Sequence, residues 1–244
     1  MLRYELKYLF PESMLPTLRN HIAMYMECDS WAQAAGGHYT VRSVYFDTPQ
    51  LKCYFDKVEG IKRRFKIRVR TYAGVSSSSQ PMFFLEKKEK YLNPMQKLRV
   101  PLTHEQLHAL WHYRQLPSTP SDALKQMCFD LWYYNMKPTV ATVYERRPWL
   151  LPKALDPKGN GLRVTFDMNL RAVWDPDLFR PEWDGTTYPV MPGWFVLEVK
   201  YNKYCPVWLR ELLMLAEGVP RSVSKYCLCM DTCFANGRRV THVH

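Results

Sequence analysis

The sequence predicts an antiparallel α+β protein. Strand-like runs dominate the chain and cluster into hairpins, with a few helical segments between them. Within the strands, charged and apolar residues alternate with period two, so each strand has one charged and one apolar face. The 244 residues are 47% hydrophobic and 14% aromatic. That suffices for one large core and excludes a disordered chain, a collagen-like repeat or a disulfide-stapled miniature. A single domain over 1–244 is expected.

The first strand-like run is Arg3–Leu9. A helix follows over about Ser13–Met26, with Leu15, Leu18, Ile22 and Met26 at helical spacing. Strands Tyr39–Phe46 and Phe65–Tyr72 come next. Gly74–Pro81, with serines at 76–79, reads as a hairpin loop leading into strand Met82–Lys88. After strand Lys97–Leu102, Thr103 and Gln106 have capping-box spacing and open a helix carrying Leu107, Leu110 and Trp111. Another helix follows Ser121, with Leu124, Met127, Cys128 and Leu131. Strands Thr139–Arg146 and Leu162–Leu170 flank a loop at Pro152–Gly161, and a second loop runs over Asp175–Gly193. The last strand is Trp194–Tyr201. A helix from near Pro206 stops before Gly218, and a short one spans about Ser224–Phe234.

Lys and Arg number 34 against 23 Asp and Glu, a net charge of +11. Such an excess favours anionic partners: nucleic acid, polyphosphate, a nucleotide or an acidic membrane surface. No apolar run approaches the roughly 20 residues of a spanning helix. Charges at Arg3, Glu5 and Lys7 occupy the place of a secretory signal's apolar stretch. The seven cysteines are odd in number and scattered, which fits a reducing compartment, and cytoplasm is the expected location. Cys227-x-Cys229 has no histidine pair to complete a zinc site, and there is no glycine-rich phosphate loop.

The charged faces carry the functional signal. Arg3, Glu5 and Lys7 share one face, and Arg64, Lys66, Arg68 and Arg70 share another. Glu86 pairs with Lys88, Lys97 with Arg99, Arg163 with Thr165 and Asp167, and Glu198 with Lys200. A half-solvated sheet accounts for each strand singly. All of them together, with apolar opposite faces covered by helices, describe a sheet curled until its charged face lies inside. Four cations along one strand face repel each other unless an anion lies among them, and arginine's planar fork suits phosphate. The interleaved acids Glu5, Glu86, Asp167 and Glu198 are of little use to a nucleic-acid groove but suit Mg²⁺ or Mn²⁺ bridging to phosphate oxygens.

Nine segments in order carry a resemblance: Arg-Tyr-Glu-Leu-Lys-Tyr at 3–8, Val-Arg-Ser-Val-Tyr-Phe-Asp-Thr-Pro at 41–49, Arg-Phe-Lys-Ile-Arg-Val-Arg-Thr-Tyr at 64–72, Phe-Leu-Glu-Lys-Lys at 84–88, Lys-Leu-Arg at 97–99, Tyr-Glu-Arg-Arg at 144–147, Leu-Arg-Val-Thr-Phe-Asp at 162–167, Leu-Glu-Val-Lys at 197–200 and Ser-Lys-Tyr at 224–226. Together they resemble the triphosphate tunnel metalloenzymes, or CYTH superfamily, and within it the polyphosphate polymerase (VTC) domain, in a free-standing version. The resemblance implies an eight-stranded antiparallel β-barrel, the triphosphate tunnel, with helices packed outside and a C-terminal helix.

It also implies roles. Lys66, Arg68, Arg70, Arg146, Arg163 and Lys225 would act on the transferring phosphate. Lys7, Arg42, Tyr45, Arg64, Lys88, Lys97, Arg99, Lys200 and Ser224 would hold the substrate's phosphates. Glu198, with Glu5 and Glu86 as further candidates, would bind Mn²⁺ or Mg²⁺. The implied reaction moves the terminal phosphate of ATP to a growing polyphosphate chain. Hydrolytic relatives typically begin Glu-x-Glu-x-Lys, and Arg3 replaces the first acid here. The polymerase branch is therefore expected over a tripolyphosphatase or nucleoside triphosphatase, with a non-catalytic polyphosphate-binding module as a further alternative. The expected partners are ATP and polyphosphate, with no nucleic acid and no membrane span. A membrane would be met only through a partner protein.

Overall fold

A computed structural model describes residues 4–73, 82–91, 95–180 and 186–238. The strands are β1 (Tyr4–Pro11), β2 (Glu27–Cys28), β3 (Tyr39–Asp47), β4 (Arg63–Ala73), β5 (Phe83–Tyr91), β6 (Met95–Leu102), β7 (Lys137–Leu150), β8 (Arg163–Trp174), β9 (Thr187–Pro189) and β10 (Trp194–Tyr201). The helices are α1 (Leu15–Ala23), α2 (Ser30–Ala34), α3 (Lys52–Val58), α4 (His104–Tyr113), α5 (Asp122–Tyr133), α6 (Val207–Leu215) and α7 (Lys225–Ala235). The fold is α+β, as the alternation predicts, and all eight expected strands are present. The short elements β2, β9, α2 and α3 were not expected. Each is too brief to build a periodic pattern.

Hydrogen-bonded strands follow the order β1-β10-β8-β7-β3-β4-β5-β6, with β2 on β7 and β9 on β8. No pairing of β1 with β6 is found among the described residues, so the sheet is an open path rather than a barrel closed by hydrogen bonds. Both end strands carry charge and a proline (Glu5, Lys7 and Pro11; Lys97, Arg99 and Pro101), as edges that resist further pairing do. The serine loop at 76–79 and Arg3 lie outside the described residues.

The chain divides into two compact units. The first comprises Met1–Thr40, Tyr144–Leu170 and Met191–Val223; the second comprises Val41–Val143, Arg171–Val190 and Ser224–His244. In the first unit β1, β10 and β8 pair antiparallel. Their apolar side chains Tyr8, Phe10, Val164, Phe166, Phe195, Leu197 and Val199 form one core with Leu18 and Ile22 of α1 and Leu209, Leu212 and Leu213 of α6. Tyr25 stacks on Trp208 at 4.3 Å, joining the end of α1 to α6.

Helix α6 ends in a Schellman motif. Gly218 N–H donates to Leu213 C=O (2.8 Å) and Glu217 N–H to Met214 C=O (2.9 Å). The left-handed residue is Glu217, at φ 53°, not Gly218. Gly218 is needed for another reason: a Cβ there would lie 2.9 Å from Leu213 C=O and 2.9 Å from the Phe10 ring.

In the second unit β4, β5 and β6 pair antiparallel. The expected capping box of α4 is present, with Gln106 N–H on Thr103 Oγ1 (3.2 Å) and Thr103 N–H on Gln106 Oε1 (3.0 Å). Asp47, fully buried at the end of β3, accepts from Thr48 N–H (2.8 Å), Cys53 N–H (2.8 Å), Tyr54 N–H (3.0 Å) and the Tyr226 hydroxyl. One carboxylate thus fixes the start of α3 and the first turn of α7.

Candidate functional site

In the second unit the register sets two cross-strand rows. Lys66 (β4) faces Lys88 (β5), which faces Lys97 (β6); beside them run Arg68, Glu86 and Arg99. Glu86 is 1% exposed and gathers four cations. Its Oε2 takes Arg68 Nε at 2.7 Å, Arg68 Nη2 at 2.6 Å and Arg70 Nη1 at 3.8 Å. Its Oε1 takes Lys97 at 3.1 Å and Arg99 at 3.5 Å. Burial alone would raise its carboxyl, but Arg68, Arg70 and Lys97 outweigh burial and hold it far below the usual carboxylate range.

The same arginines reach β3. Arg68 donates to the Tyr45 hydroxyl (2.8 Å) and Arg70 to Ser43 Oγ (3.0 Å). Burial raises the Tyr45 phenol, yet Arg68, Arg70 and Lys66 together hold it below its ordinary value. Tyr45 also stacks on Tyr226 at 5.0 Å. The Lys66 ammonium donates to Ser224 Oγ (2.8 Å), lies 3.6 Å from Cys227 Sγ and sits 4.7 Å above the Tyr226 ring. Burial pulls its pKa down. Ser224 caps α7, accepting from Cys227 N–H at 3.4 Å, and Lys225 is the first residue of that helix.

In the first unit charges alternate like a checkerboard. Glu5 faces Lys200, which faces Arg163; Lys7 faces Glu198, which faces Thr165. The Lys200 ammonium lies against Glu198 and 3.7 Å from Glu5, while Lys7 pairs with Glu5 at 3.0 Å and donates to Val223 C=O at 3.3 Å. Burial lowers Lys200, opposed by Glu198 and Glu5. Arg146 is clamped by Asp167 through two 2.7 Å bonds, and its Nη2 is 3.8 Å from Glu198. Arg163 reaches the Tyr39 hydroxyl at 3.5 Å.

Most of the expected residues fall into two groups. Arg68, Arg70, Lys97 and Arg99 meet Glu86, Tyr45 joins through Arg68, and Lys66 and Lys88 stand in the adjoining row, where Lys66 reaches Ser224. Lys7, Lys200 and Arg146 meet Glu5 or Glu198, and Arg163 stands opposite Lys200. Three of the expected residues are placed differently. Arg42 lies, by strand alternation, on the opposite face from Ser43 and Tyr45 and donates to Asp177 C=O at 2.8 Å. Arg64 shares the cationic face but turns to Ile61 C=O at 2.5 Å, at the mouth of β4. Glu86 is committed to four cations rather than standing with other acids. Sequence reading passed over Asp47 and gave Asp167 no partner. Their neighbours depend on register and on distant helices, which alternation alone does not reveal.

Among the described residues no three acidic, histidine or cysteine side chains converge as a metal cage. Mg²⁺ and Mn²⁺ do not require one, since one or two carboxylates suffice beside water and phosphate oxygens. Glu198 and Glu5 fit that role. Their oxygens already meet on one cation, the Lys200 ammonium.

Comparison with solved structures gives likeness of fold. A Bacillus halodurans protein provisionally named an adenylate cyclase superposes with a TM-score of 0.53 at 12% identity, covering 91% of this chain and 94% of that one. A Pyrococcus horikoshii protein superposes with a TM-score of 0.47 at 12% identity, covering 93% and 99%. The comparison with curated protein sequences returns no match. Among protein families the VTC domain matches residues 2–234, nearly the whole chain. The nine sequence segments and this match agree, and the chain belongs to the VTC domain family, within the triphosphate-tunnel group.

Proposed function

We propose that this chain is a metal-dependent polyphosphate polymerase that moves the terminal phosphate of ATP onto a growing polyphosphate chain. The row Lys66–Lys88–Lys97 carries the reading. Like charges directly opposite one another destabilise a sheet, and a polyanion removes that cost. Lys66, Lys88, Lys97, Arg68, Arg70, Arg99, Tyr45, Ser224 and Lys225 hold phosphate oxygens in the second unit. Lys7, Arg146, Arg163 and Lys200 do so in the first. Phosphoryl transfer needs no protein nucleophile, because the acceptor is itself a phosphate oxygen. The protein's task is positioning and charge neutralisation.

Glu86 and Asp167 keep the arginine forks fixed before substrate arrives. Little reorganisation then remains at the moment of transfer. Glu198, with Glu5 beside it, would hold Mn²⁺ or Mg²⁺. The bound metal would neutralise charge on the transferring phosphate.

The deciding experiment incubates the pure protein with ATP and Mn²⁺ and resolves the products. ADP with a ladder of long polyphosphate is expected. ADP with orthophosphate alone would replace the polymerase by a hydrolase. Metal-independent polyphosphate binding without turnover would leave a binding module.

A further inference from the structure

Seven thiols are present, none of them in a disulfide. Cysteine reacts with oxidants as the thiolate. Six of the seven are held towards the protonated form, with burial as the largest cause. Cys28, Cys53, Cys205 and Cys229 are pushed up, Cys128 up to about 12 and Cys233 up to about 11. The seventh, Cys227, differs in its surroundings. Its sulfur lies 3.6 Å from the Lys66 amine, in the first turn of α7, three residues beyond the Ser224 cap that Lys66 also touches. Cys227 keeps 8% exposure, more than Cys53, Cys128, Cys229 and Cys233 at no more than 1% and less than the half-buried Cys28 and Cys205, so contact with an amine rather than exposure sets it apart. Its sulfur already touches an amine nitrogen.

We propose that Cys227 is a peroxide-sensitive modification site whose oxidised sulfur cross-links reversibly to Lys66 and switches off its phosphate-binding charge. The oxidant is hydrogen peroxide or a comparable hydroperoxide. In the first step the Cys227 sulfur attacks one peroxide oxygen and the O–O bond breaks. Sulfur gives up an electron pair and becomes the sulfenic acid. The second oxygen takes the thiol proton and leaves as water.

In the second step the lone pair of the neutral Lys66 amine attacks that sulfur. An N–S bond forms and the S–O bond breaks. The hydroxyl leaves as water with a proton from the amine, and no further electrons are exchanged. Burial lowers the Lys66 pKa, which eases the loss of the ammonium proton that this step requires. A thiol reductant reverses the link by attacking sulfur and returning the amine. The assignment of Lys66 to phosphate rests on the polymerase reading; the cross-link itself does not.

The test treats the full chain with hydrogen peroxide, digests it without reductant and analyses the peptides by mass spectrometry. The expected product joins the Lys66 and Cys227 peptides with the loss of a pair of hydrogens, and dithiothreitol dissolves it. Cys227→Ala forms no such product. Lys66→Arg forms none either, but leaves a sulfenic acid on Cys227 that dimedone traps. A wild-type chain in which Cys227 stays reduced while other cysteines are oxidised overturns the proposal. So does dimedone-trapped Cys227 with no link to Lys66. Where polyphosphate synthesis is present, peroxide abolishes it in the wild type, dithiothreitol restores it and Cys227→Ala resists the loss. A cross-link in a chain that makes no polyphosphate sustains the modification site and removes only the function assigned to Lys66.

Discussion

Replacing Glu86 with glutamine keeps the side chain's shape and deletes its charge. The carboxylate is buried, and its two closest contacts are both to Arg68, at 2.6 and 2.7 Å. At an effective dielectric constant near 20, one such contact is worth about 6 kcal/mol of Coulomb energy before desolvation is subtracted. Lys97 and Arg99 are over a third exposed and add little through water. Breaking a buried pair by removing one partner costs about 3–5 kcal/mol, and glutamine's remaining acceptor argues for the lower end, about 3 kcal/mol. In a chain of this size that lowers Tm by about 6–12 °C at pH 7.

The pH dependence carries the same signature. The folded carboxyl is depressed far below its ordinary value of 4.5, so its stabilisation is complete above about pH 4.5. It fades as pH falls, at about 1.4 kcal/mol per pH unit, because the unfolded chain takes up the proton first. Thermal unfolding by circular dichroism from pH 7 to 3 is the assay. The gap between wild type and Glu86→Gln should narrow by about 2 kcal/mol between pH 4.5 and 3. Equal Tm values at pH 7, or a gap that stays constant on acidification, would refute the reasoning.

Glu198→Gln should abolish turnover while ATP binding by titration calorimetry survives; loss of both in a folded protein would sink the metal-holding role. Asp167→Asn frees the Arg146 fork and should lower kcat on the order of a hundredfold, with an unchanged rate counting against the clamp. Ser224→Ala removes the α7 cap and should cost about 1 kcal/mol in urea unfolding. Gly218→Ala should cost about 1–3 kcal/mol, since the new Cβ meets backbone. Glu217→Gly, which relieves a left-handed side chain, should stabilise by up to about 1 kcal/mol.

Strands and their faces were legible because alternation is a local property. Lys66, Arg68 and Arg70 fall on one face whatever their neighbours are. What they face was not legible. Glu86 meets Arg68 because β4 and β5 pair in one register, and a slip of one residue would exchange its partners. Glu86 therefore read as one acid among several candidates, and its place at the centre of a cationic array was not visible. Arg42 shows the converse limit. Its motif was recognised, but β3 carries polar and apolar side chains on both faces (Thr40, Arg42, Val44 and Phe46 on one, Val41, Ser43 and Tyr45 on the other), so the pattern did not mark which face joins the cationic rows. Asp47 meets Tyr226 across nearly the whole chain, and no periodicity reaches that far. The Thr103 capping box was legible because it depends only on the next few residues.

The pairing of β1 bears on how the chain is made. Tyr4 lies opposite Tyr201, and β1 has no other neighbour in the strand order. Ribosomes add about 5–20 residues per second, so β1 waits about 10–40 s for its partner to emerge. During that interval its aromatic residues and its open backbone would invite pairing with another nascent chain. Glu5 and Lys7, set between Tyr4, Leu6 and Tyr8, keep a neighbouring copy from laying an identical strand alongside in register, because like charges would then meet. The charges read first as ligands thus also guard the strand that must remain single longest.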